Sequence, residues 1–403
     1  MTHLTALNRR NFLRLGVTGA AAAAIAPALS RPAFAAAAAP AAGGVPAVGY
    51  IDVPANVALL NINEFPSGPT PAAVDIMHKM AVNGNRYYMN ETKKFGAELA
   101  AYHDLKPEYV TLYAGSSEVL HFTALAFTSP TKSLVTADPT FEQTWRVAES
   151  QGAKVHKIPL KADYSYDMKA MVAADPNAGL YYVCNPNNPT GTPVKRSDIE
   201  WLLANKAPGS VVLVDEAYIH FSDAESVIDL VGKDKDLIVS RTFSKIYSMG
   251  GLRFGYASAR PDLAAKLHHY GVNSMATTAV QCAKIQLADK QLIPLRKQTM
   301  ADTRNKTLDF LTKAGYTVTP SQTNHFMVDT KRPGAPIVTA LAHHSVMIGR
   351  TWTIWPNRPR VSIGSPSDMA SFQTAFLEVM KMPDNKLNAL VHPYPHLLNP
   401  QAC

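Results

Sequence analysis

Between about residues 76 and 285, short and almost uninterrupted apolar segments alternate with amphipathic stretches. Four of the apolar segments are SLVTAD (133–138), LYYVCN (180–185), VVLVDEAY (211–218) and LIVSRTF (237–243). Such continuous apolar runs are typical of strands that helices cover on both faces. The stretches between them, such as 197–206 and 261–270, have helical periodicity. This alternation predicts an α/β fold with a mostly parallel sheet flanked by helices.

The pattern changes after about residue 290. A long helical stretch at 290–313 precedes two short strands, HFMVD (325–329) and RVSIG (360–364), and a helix at 367–381. This change predicts a smaller α+β domain. We therefore expect a linker and N-terminal arm at 36–75, a large domain at 76–288, a small domain at 289–383 and an irregular C-terminal tail at 384–403.

The composition is that of a chain with a large core. Of the 403 residues, 47% are hydrophobic and 17% are charged, which excludes an intrinsically disordered protein. The formal net charge is +8, but half of it comes from four arginines in the first 35 residues, which contain no acidic residue. The remaining +4 is too small and too scattered to favour nucleic acid as a partner.

The cysteines and histidines do not predict a metal site. Cys184, Cys282 and Cys403 are too few and too far apart for a zinc site or a disulfide framework. The histidine pairs at 268–269 and 343–344 are adjacent in sequence, so their side chains diverge on a helix. We expect no bound metal.

Residues 1–35 have the layout of an export signal. RRNFL (9–13) precedes an alanine-rich apolar stretch that ends in AFA (33–35), and this order is typical of a secretory leader. The paired arginines resemble the twin-arginine signal, which implies passage through the twin-arginine export machinery in the folded state to the periplasm or the medium. The apolar stretch is too short to predict a stable membrane anchor. A disordered basic N-terminus is the alternative.

Polar residues follow several of the apolar segments, at the end of an α/β sheet where ligands gather. NPNNPTG (185–191) follows one strand, Asp215 ends another, and Ser116 and Ser117 open a helix-like stretch after YVTLY. A buried acid needs a cationic partner, and the N–H groups at a helix start can bind an anion. Each feature alone also has an ordinary explanation: a proline turn, an ion-paired acid and a serine N-cap.

The segment RTFSKIYSMGGLRFGY begins at Arg241 and contains a lysine directly after a buried strand. The charge of Lys245 must be paired or suppressed there, and an uncharged lysine is a nucleophile suited to a Schiff base. A lysine that points to solvent is the alternative.

The same segment supplies groups that match a phosphate. Thr242 and Ser244 provide hydroxyls, Arg253 provides a guanidinium, and the glycine pair at 250–251 allows close approach of the backbone. Together the strand ends supply a phosphate site, an acid, amides and an amine. This combination suits pyridoxal phosphate.

In chain order, the sequence contains eight motifs: NINEFPSGP (61–69), NRYY (85–88), GSSE (115–118), NPNNPTG, DEAY, TFSK, GLRFG and RVSIG. Together they resemble the motifs of class I/II aminotransferases, which are pyridoxal-phosphate enzymes of fold type I, and of the histidinol-phosphate aminotransferase branch in particular. The resemblance covers about residues 57 to 381. It implies the fold type I architecture, an amino donor with a 2-oxo acid acceptor, and a homodimer with shared active sites.

The resemblance also implies roles at the cofactor ring. Lys245 holds pyridoxal phosphate as a Schiff base and moves the substrate proton as general base and acid. Asp215 pairs with the pyridine nitrogen, and Tyr218 and Asn188 hydrogen-bond the phenolic oxygen. Phe141 stacks on the ring.

Further roles concern the phosphate and the substrate. The residues implied to hold the cofactor phosphate are Ser116, Ser117, Thr242, Ser244 and Arg253. Tyr87 reaches the phosphate of the neighbouring subunit's cofactor. Arg360 clamps the substrate α-carboxylate, with Asn188 beside it.

Departures from the family pattern concern the substrate. Arg350 lies where histidinol-phosphate enzymes bind the substrate phosphate, but Phe65 replaces a tyrosine that some of them use for that phosphate. Trp352 and Trp355 either line an aromatic-tolerant pocket or pack the small domain. Export is also out of keeping with histidine biosynthesis. The sequence therefore predicts the type of reaction and leaves histidinol phosphate open as the substrate.

Three other functions remain possible from the sequence. A decarboxylase, cyclase or oxidase of the same fold would use the same lysine and acid. A serine acyl-enzyme would need S-x-x-K, but Thr242 stands at the nucleophile position and a K-T-G motif is missing. A non-catalytic exported binding protein would not need Lys245.

Overall fold

A seven-stranded sheet lies at the centre of the computed structural model, which describes residues 54, 56–271 and 274–395. The predicted leader at 1–35 lies outside the described residues. The strands of the described chain are β1 (Ala58–Leu60), β2 (Val110–Tyr113), β3 (Ser133–Asp138), β4 (Val155–Pro159), β5 (Ala178–Cys184), β6 (Val211–Asp215), β7 (Leu237–Thr242), β8 (Gly255–Ala259), β9 (Thr317–Val318), β10 (His325–Asp329), β11 (Val346–Ile348) and β12 (Arg360–Ser362).

Helices connect most of these strands. The described α-helices are α1 (Pro71–Ala81), α2 (Met89–Tyr102), α3 (Ser116–Phe127), α4 (Gln143–Ser150), α5 (Met168–Ala173), α6 (Arg196–Asn205), α7 (Pro261–His268), α8 (Thr277–Ala288), α9 (Leu292–Lys313), α10 (Gly334–His343), α11 (Pro366–Met380) and α12 (Asp384–Asn388). None of them is long and apolar enough to cross a membrane.

The strand order of the central sheet is β2-β8-β7-β6-β5-β3-β4. Every pair is parallel except the two that involve β8, which runs antiparallel to β2 and to β7. The prediction of a mostly parallel sheet is therefore confirmed. It follows that β2, β3, β5, β6 and β7 all end at the same edge.

Two hydrophobic cores cover the two faces of this sheet. Alternate residues of β6 belong to different cores: Val212 and Val214 pack with α2 and α6, whereas Val211 and Leu213 pack with α3, α4 and α7. Every residue of β5, β6, β7 and β8 is buried. The continuous apolar segments in the sequence arise from this double coverage.

The C-terminal part of the chain forms a second, three-stranded antiparallel sheet of order β12-β10-β9, beside α9, α10 and α11. A separate parallel pair joins β1 to β11, so the N-terminal arm is held by the C-terminal part of the chain. The tail was expected to be irregular, and this is wrong for α12, which follows Pro383 and buries Leu387. The described residues pack as one compact unit, so the predicted domain limits stay a prediction.

Candidate active site

One cavity of about 700 Å³ opens at the edge of the central sheet where β2, β3, β5, β6 and β7 end. It contains eleven of the thirteen residues that the sequence predicts for the site. Those that line it are Ser116, Ser117, Phe141, Asn188, Asp215, Tyr218, Thr242, Ser244, Lys245, Arg253 and Arg350. These residues follow several different strands and loops, so the fold brings residues up to 234 positions apart into one pocket.

One end of the cavity has the donors of an anion site. Ser116 and Ser117 form the first turn of α3, whose free N–H groups favour an anion. Arg253 donates from Nη1 to the carbonyl of Gly250 (2.9 Å) and from Nη2 to that of Ala114 (3.2 Å), which fixes its guanidinium beside the helix start. These contacts orient a cation and free amides toward the same space.

Glycines keep this anion site open. Gly115 has φ +89°, and a Cβ there would lie 2.8 Å from Cζ of Arg253. A Cβ on Gly255 would lie 2.7 Å from the amide nitrogen of Ser116. By contrast, a Cβ on Gly251 would have no protein atom within 4 Å and one on Gly250 would lie 3.8 Å from its nearest neighbour. The positive φ therefore favours glycine at 115, and packing against the backbone demands glycine at 255. The predicted need for the pair at 250–251 stays a prediction.

Thr242 and Ser244 lie beside the anion site. The hydroxyl of Thr242, at the end of β7, lies 2.8 Å from the Ser244 hydroxyl, and Thr242 Oγ1 accepts from the amide of Ser244 at 3.0 Å. This turn places both hydroxyls on the cavity wall and leads directly to Lys245.

Asp215 is the buried acid of the cavity, with 2% of its surface exposed. Burial raises the pKa of its carboxyl to about 6, and three neighbours lower it in part: the Ala217 amide, the Tyr182 hydroxyl and Lys245. The amide and the hydroxyl donate to the two carboxylate oxygens at 3.2 Å each. A further cation at this position would favour the ionised form of Asp215.

Lys245 and Tyr218 face each other across the cavity floor. The lysine Nζ lies 5.5 Å from the centre of the Tyr218 ring. Asn63 donates from Nδ2 to the Tyr218 hydroxyl at 3.0 Å, and His325 packs edge-on against the ring at 4.7 Å. Burial lowers the pKa of His325 well below its usual value, so this histidine is neutral. The lysine and the tyrosine are thus placed by buried neighbours.

The three asparagines of NPNNPTG have different positions. The Asn185 side chain accepts from the amide of Val194 at 2.9 Å, and Asn187 accepts from the hydroxyls of Thr140 and Tyr166. Only Asn188 lines the cavity. The motif therefore uses two amides to hold the turn and presents the third to the cavity.

Arg360 does not line the cavity but lies directly behind Asn188. It is 2% exposed and donates from Nη1 to Asn188 Oδ1 at 3.0 Å and from Nη2 to the carbonyl of Asn61 at 2.6 Å. The prediction that Arg360 meets the substrate α-carboxylate therefore requires it to act beside Asn188.

Tyr87 lies outside the cavity, at the surface, with 75% of its area exposed. Phe65 packs against Phe221, with ring centres 6.2 Å apart, and does not line the cavity. The two tryptophans do not line it either. Trp352 is buried beneath Arg350, and Trp355 packs against Tyr164, so both serve packing.

Sequence reasoning missed several residues that contact predicted site residues, among them Asn63, Glu142, Tyr182 and His325. Asn63 stands in the motif NINEFP, which marks it as part of a motif but not as a partner of Tyr218. Tyr182 and His325 lie in apolar strands that predict only a core position. Their contacts depend on the pairing of distant strands and have no local signal.

The fold and the cavity together fit a pyridoxal-phosphate enzyme of fold type I. The anion site excludes a Cβ and matches the phosphate of that cofactor. The buried acid lacks a full countercharge and matches the ring nitrogen. The lysine beside a tyrosine matches the aldehyde.

Comparisons with known proteins agree. Residues 55–376 match the family "Aminotransferase class I and II". The histidinol-phosphate aminotransferase of Symbiobacterium thermophilum is 31% identical over 325 residues, which span 78% of this chain and 88% of that protein. The one from Moorella thermoacetica is 30% identical over 342 residues, which span 81% and 86%.

Solved structures give the same result. A putative histidinol-phosphate aminotransferase from Erwinia carotovora atroseptica superposes with a TM-score of 0.77 at 30% identity, over 81% of this chain and 96% of that one. The Sinorhizobium meliloti histidinol-phosphate aminotransferase in complex with pyridoxal-5'-phosphate superposes with a TM-score of 0.75 at 22% identity, over 81% and 91%. The chain belongs to the class I and II aminotransferase family. It is a pyridoxal-phosphate-dependent aminotransferase similar to histidinol-phosphate aminotransferases.

Proposed function

We propose that this enzyme transfers the amino group of an α-amino acid or an amino-alcohol phosphate to a 2-oxo acid, with Lys245 as the amine that binds the cofactor. The convergence of Lys245, Asp215 and Tyr218 in one cavity supports this most directly. The names of the relatives favour an amino-alcohol phosphate as one donor class. The buried guanidinium of Arg360 favours a donor or acceptor with a carboxylate.

Each residue has a distinct task in this reaction. Pyridoxal phosphate supplies an aldehyde for the donor's amine and a ring that takes up electrons from the substrate Cα. Asp215 places a negative charge at the floor of the cavity. The anion site binds the cofactor phosphate and so fixes the position of the cofactor. The Lys245 amine takes the proton from the substrate Cα. The Tyr218 hydroxyl, which accepts a hydrogen bond from Asn63, hydrogen-bonds the phenolic oxygen of the cofactor. Arg360 orients the substrate carboxylate through a bidentate contact.

The test is the visible absorption of the purified protein before and after borohydride, with Lys245→Ala as the matched variant. We expect an absorption band in the violet, which gives the protein a yellow colour. Borohydride should abolish this band irreversibly, and the variant should lack it. Amino donors are then screened with 2-oxoglutarate, and both the keto product and carbon dioxide are measured. A protein that takes up no pyridoxal phosphate, or one that releases carbon dioxide without amino transfer, would contradict the proposal.

We propose further that two subunits share each active site through Tyr87. Class I and II aminotransferases are generally dimeric, and two residues near Tyr87 in the sequence are exposed and apolar: Val82 and Met89 are 83% and 59% exposed. Light scattering should give twice the chain mass. Mixed dimers of Lys245→Ala and Tyr87→Ala chains should regain activity that neither homodimer has, because one of the two sites is then intact.

We also propose that the protein is exported through the twin-arginine route. The support is the sequence at 9–35, which lies outside the described residues. Replacement of Arg9 and Arg10 by lysine should hold the protein in the cytoplasm with its leader attached, as cell fractionation would show. Unchanged export of this variant would contradict the proposal.

A further inference from the structure

The arginine predicted to bind a substrate phosphate is already engaged by a carboxylate. Nη2 of Arg350 lies 2.9 Å from Oε2 of Glu142, the residue that precedes α4. Nη2 of Arg146 contacts the same carboxylate oxygen. Glu142 lies between the two guanidiniums with 14% of its side chain exposed, whereas those of Arg350 and Arg146 are 37% and 42% exposed.

The opposite contact of Arg350 is aromatic. Its guanidinium carbon lies 4.2 Å from the centre of the Trp352 ring, within the range of a cation–π interaction. Arg350 is therefore held between Trp352 and Glu142. An anion can reach this guanidinium only if Glu142 moves away or shares it.

The charges of the cavity wall outside the predicted cofactor contacts agree with this. Besides Asp215, Lys245 and Arg253, the charged side chains that line the cavity among the described residues are Glu64, Glu142, Arg146 and Arg350. The formal charges of these last four side chains cancel, whereas Asp215, Lys245 and Arg253 together leave one positive charge. A site built for a dianionic phosphate would carry a surplus of positive charge, because a buried or half-buried anion needs compensation.

We propose that Glu142 determines specificity: by pairing with Arg350, it selects substrates with an uncharged side chain over those that carry a phosphate or a carboxylate there. This rests on the proposed transamination and names the substrate class of the same cavity. In this assignment, Glu142 competes with a substrate anion for Arg350, and Arg360 alone meets the substrate's α-carboxylate.

The test compares two amino acid donors that differ only in the charge of the side chain, aspartate and asparagine, with pyruvate as acceptor. Removal of the Glu142 charge from beside Arg350 should raise the kcat/KM ratio of aspartate to asparagine about tenfold in Glu142→Gln, mostly through KM. Glu149→Gln is the matched control. Glu149 lies on α4 and pairs with Lys157 at 3.0 Å, outside the cavity, so its removal should leave the ratio unchanged.

A binding measurement separates this proposal from the proposed function. Calorimetric titration of the cofactor-loaded protein with phenyl phosphate should show tighter binding to Glu142→Gln than to wild type, whether or not any donor is transaminated. If no donor is transaminated but Glu142→Gln binds phenyl phosphate more tightly than wild type, only the proposed reaction is rejected. An unchanged or smaller ratio together with unchanged or weaker phenyl phosphate binding in Glu142→Gln would show that Glu142 orients Arg350 for an anion, and would overturn the proposal.

Discussion

The replacement of Gly115 by alanine tests the structure of the anion site at one atom. Gly115 has φ +89° and ψ +161°, a region that residues with a side chain rarely adopt. Its new Cβ would lie 2.8 Å from Cζ of Arg253, which is closer than carbon atoms approach without a bond. Because the carbonyl of Ala114 is one of the two acceptors that fix Arg253, the guanidinium has little room to retreat without losing that bond.

Two costs follow, and they appear in different measurements. The unfavourable backbone should cost about 1–3 kcal/mol of folding stability. The displaced guanidinium should cost the cofactor one charge-assisted hydrogen bond, about 1.5–3 kcal/mol, which weakens binding of pyridoxal phosphate by about 10- to 150-fold.

The assay is a spectrophotometric titration of the cofactor-free protein with pyridoxal phosphate, alongside thermal unfolding. Gly209→Ala is the control, since Gly209 also has a positive φ (+73°) but a Cβ there would meet no atom within 4 Å. It should lose stability and keep its cofactor affinity. Gly115→Ala combined with Arg253→Ala should bind the cofactor about as weakly as Arg253→Ala alone. Wild-type affinity in folded Gly115→Ala would refute the reasoning.

Three further variants test the rest of the site. Asn63→Ala removes a buried hydrogen bond to Tyr218 that is worth about 1 kcal/mol, and it should lower kcat about fivefold. The same change should have little effect on kcat in a Tyr218→Phe background, and equal losses of kcat in both backgrounds would contradict this. Arg360→Lys loses the planar fork and should raise KM for an amino acid donor at least about tenfold while the cofactor band stays unchanged. Burial raises the pKa of the Asp215 carboxyl to about 6 in the cofactor-free protein, so the folded state binds the carboxyl proton more tightly than the unfolded chain does. The folding stability therefore falls as the pH rises from about 4 to about 6. Cofactor-free Asp215→Asn should therefore have a higher Tm than wild type at pH 7 and lose that advantage at pH 4. If the plots of Tm against pH run parallel for the two proteins, burial does not destabilise the ionised carboxyl.

The sequence predicts the fold well where one local signal determines the outcome. The strands covered on both faces are almost continuously apolar, so 133–138 was predicted with the limits that β3 has. The long stretch at 290–313 became α9 (Leu292–Lys313). The edge strand β4 was not predicted, because its residues are half exposed and alternate without an apolar run. The pairing of β1 with β11 also lacked a signal, since two three-residue strands 288 positions apart can be matched only in space.

The candidate site divides in the same way. Residues at strand ends, such as Asp215 and Thr242, could be assigned to one cavity because parallel strands end together. Their orientation depends on buried partners that local sequence does not reveal, among them Asn63 and Tyr182. The glycines show the limit of prediction from sequence. The sequence predicts a role for the pair at 250–251, yet in the structure the crowded positions near the anion site are Gly115 and Gly255.

The two predicted substrate arginines show why a family pattern leaves the substrate open. Arg360 is buried and donates to neutral oxygens of Asn188 and Asn61, so its charge can act on a substrate carboxylate. Arg350 is half exposed and shares its charge with Glu142, which lies 208 positions earlier in the chain. The family pattern gives both arginines equal weight, although the electric field that each exerts depends on a partner elsewhere in the chain. The substrate class is therefore decided by pairs such as Glu142 and Arg350, and it is these pairs that mutagenesis should address first.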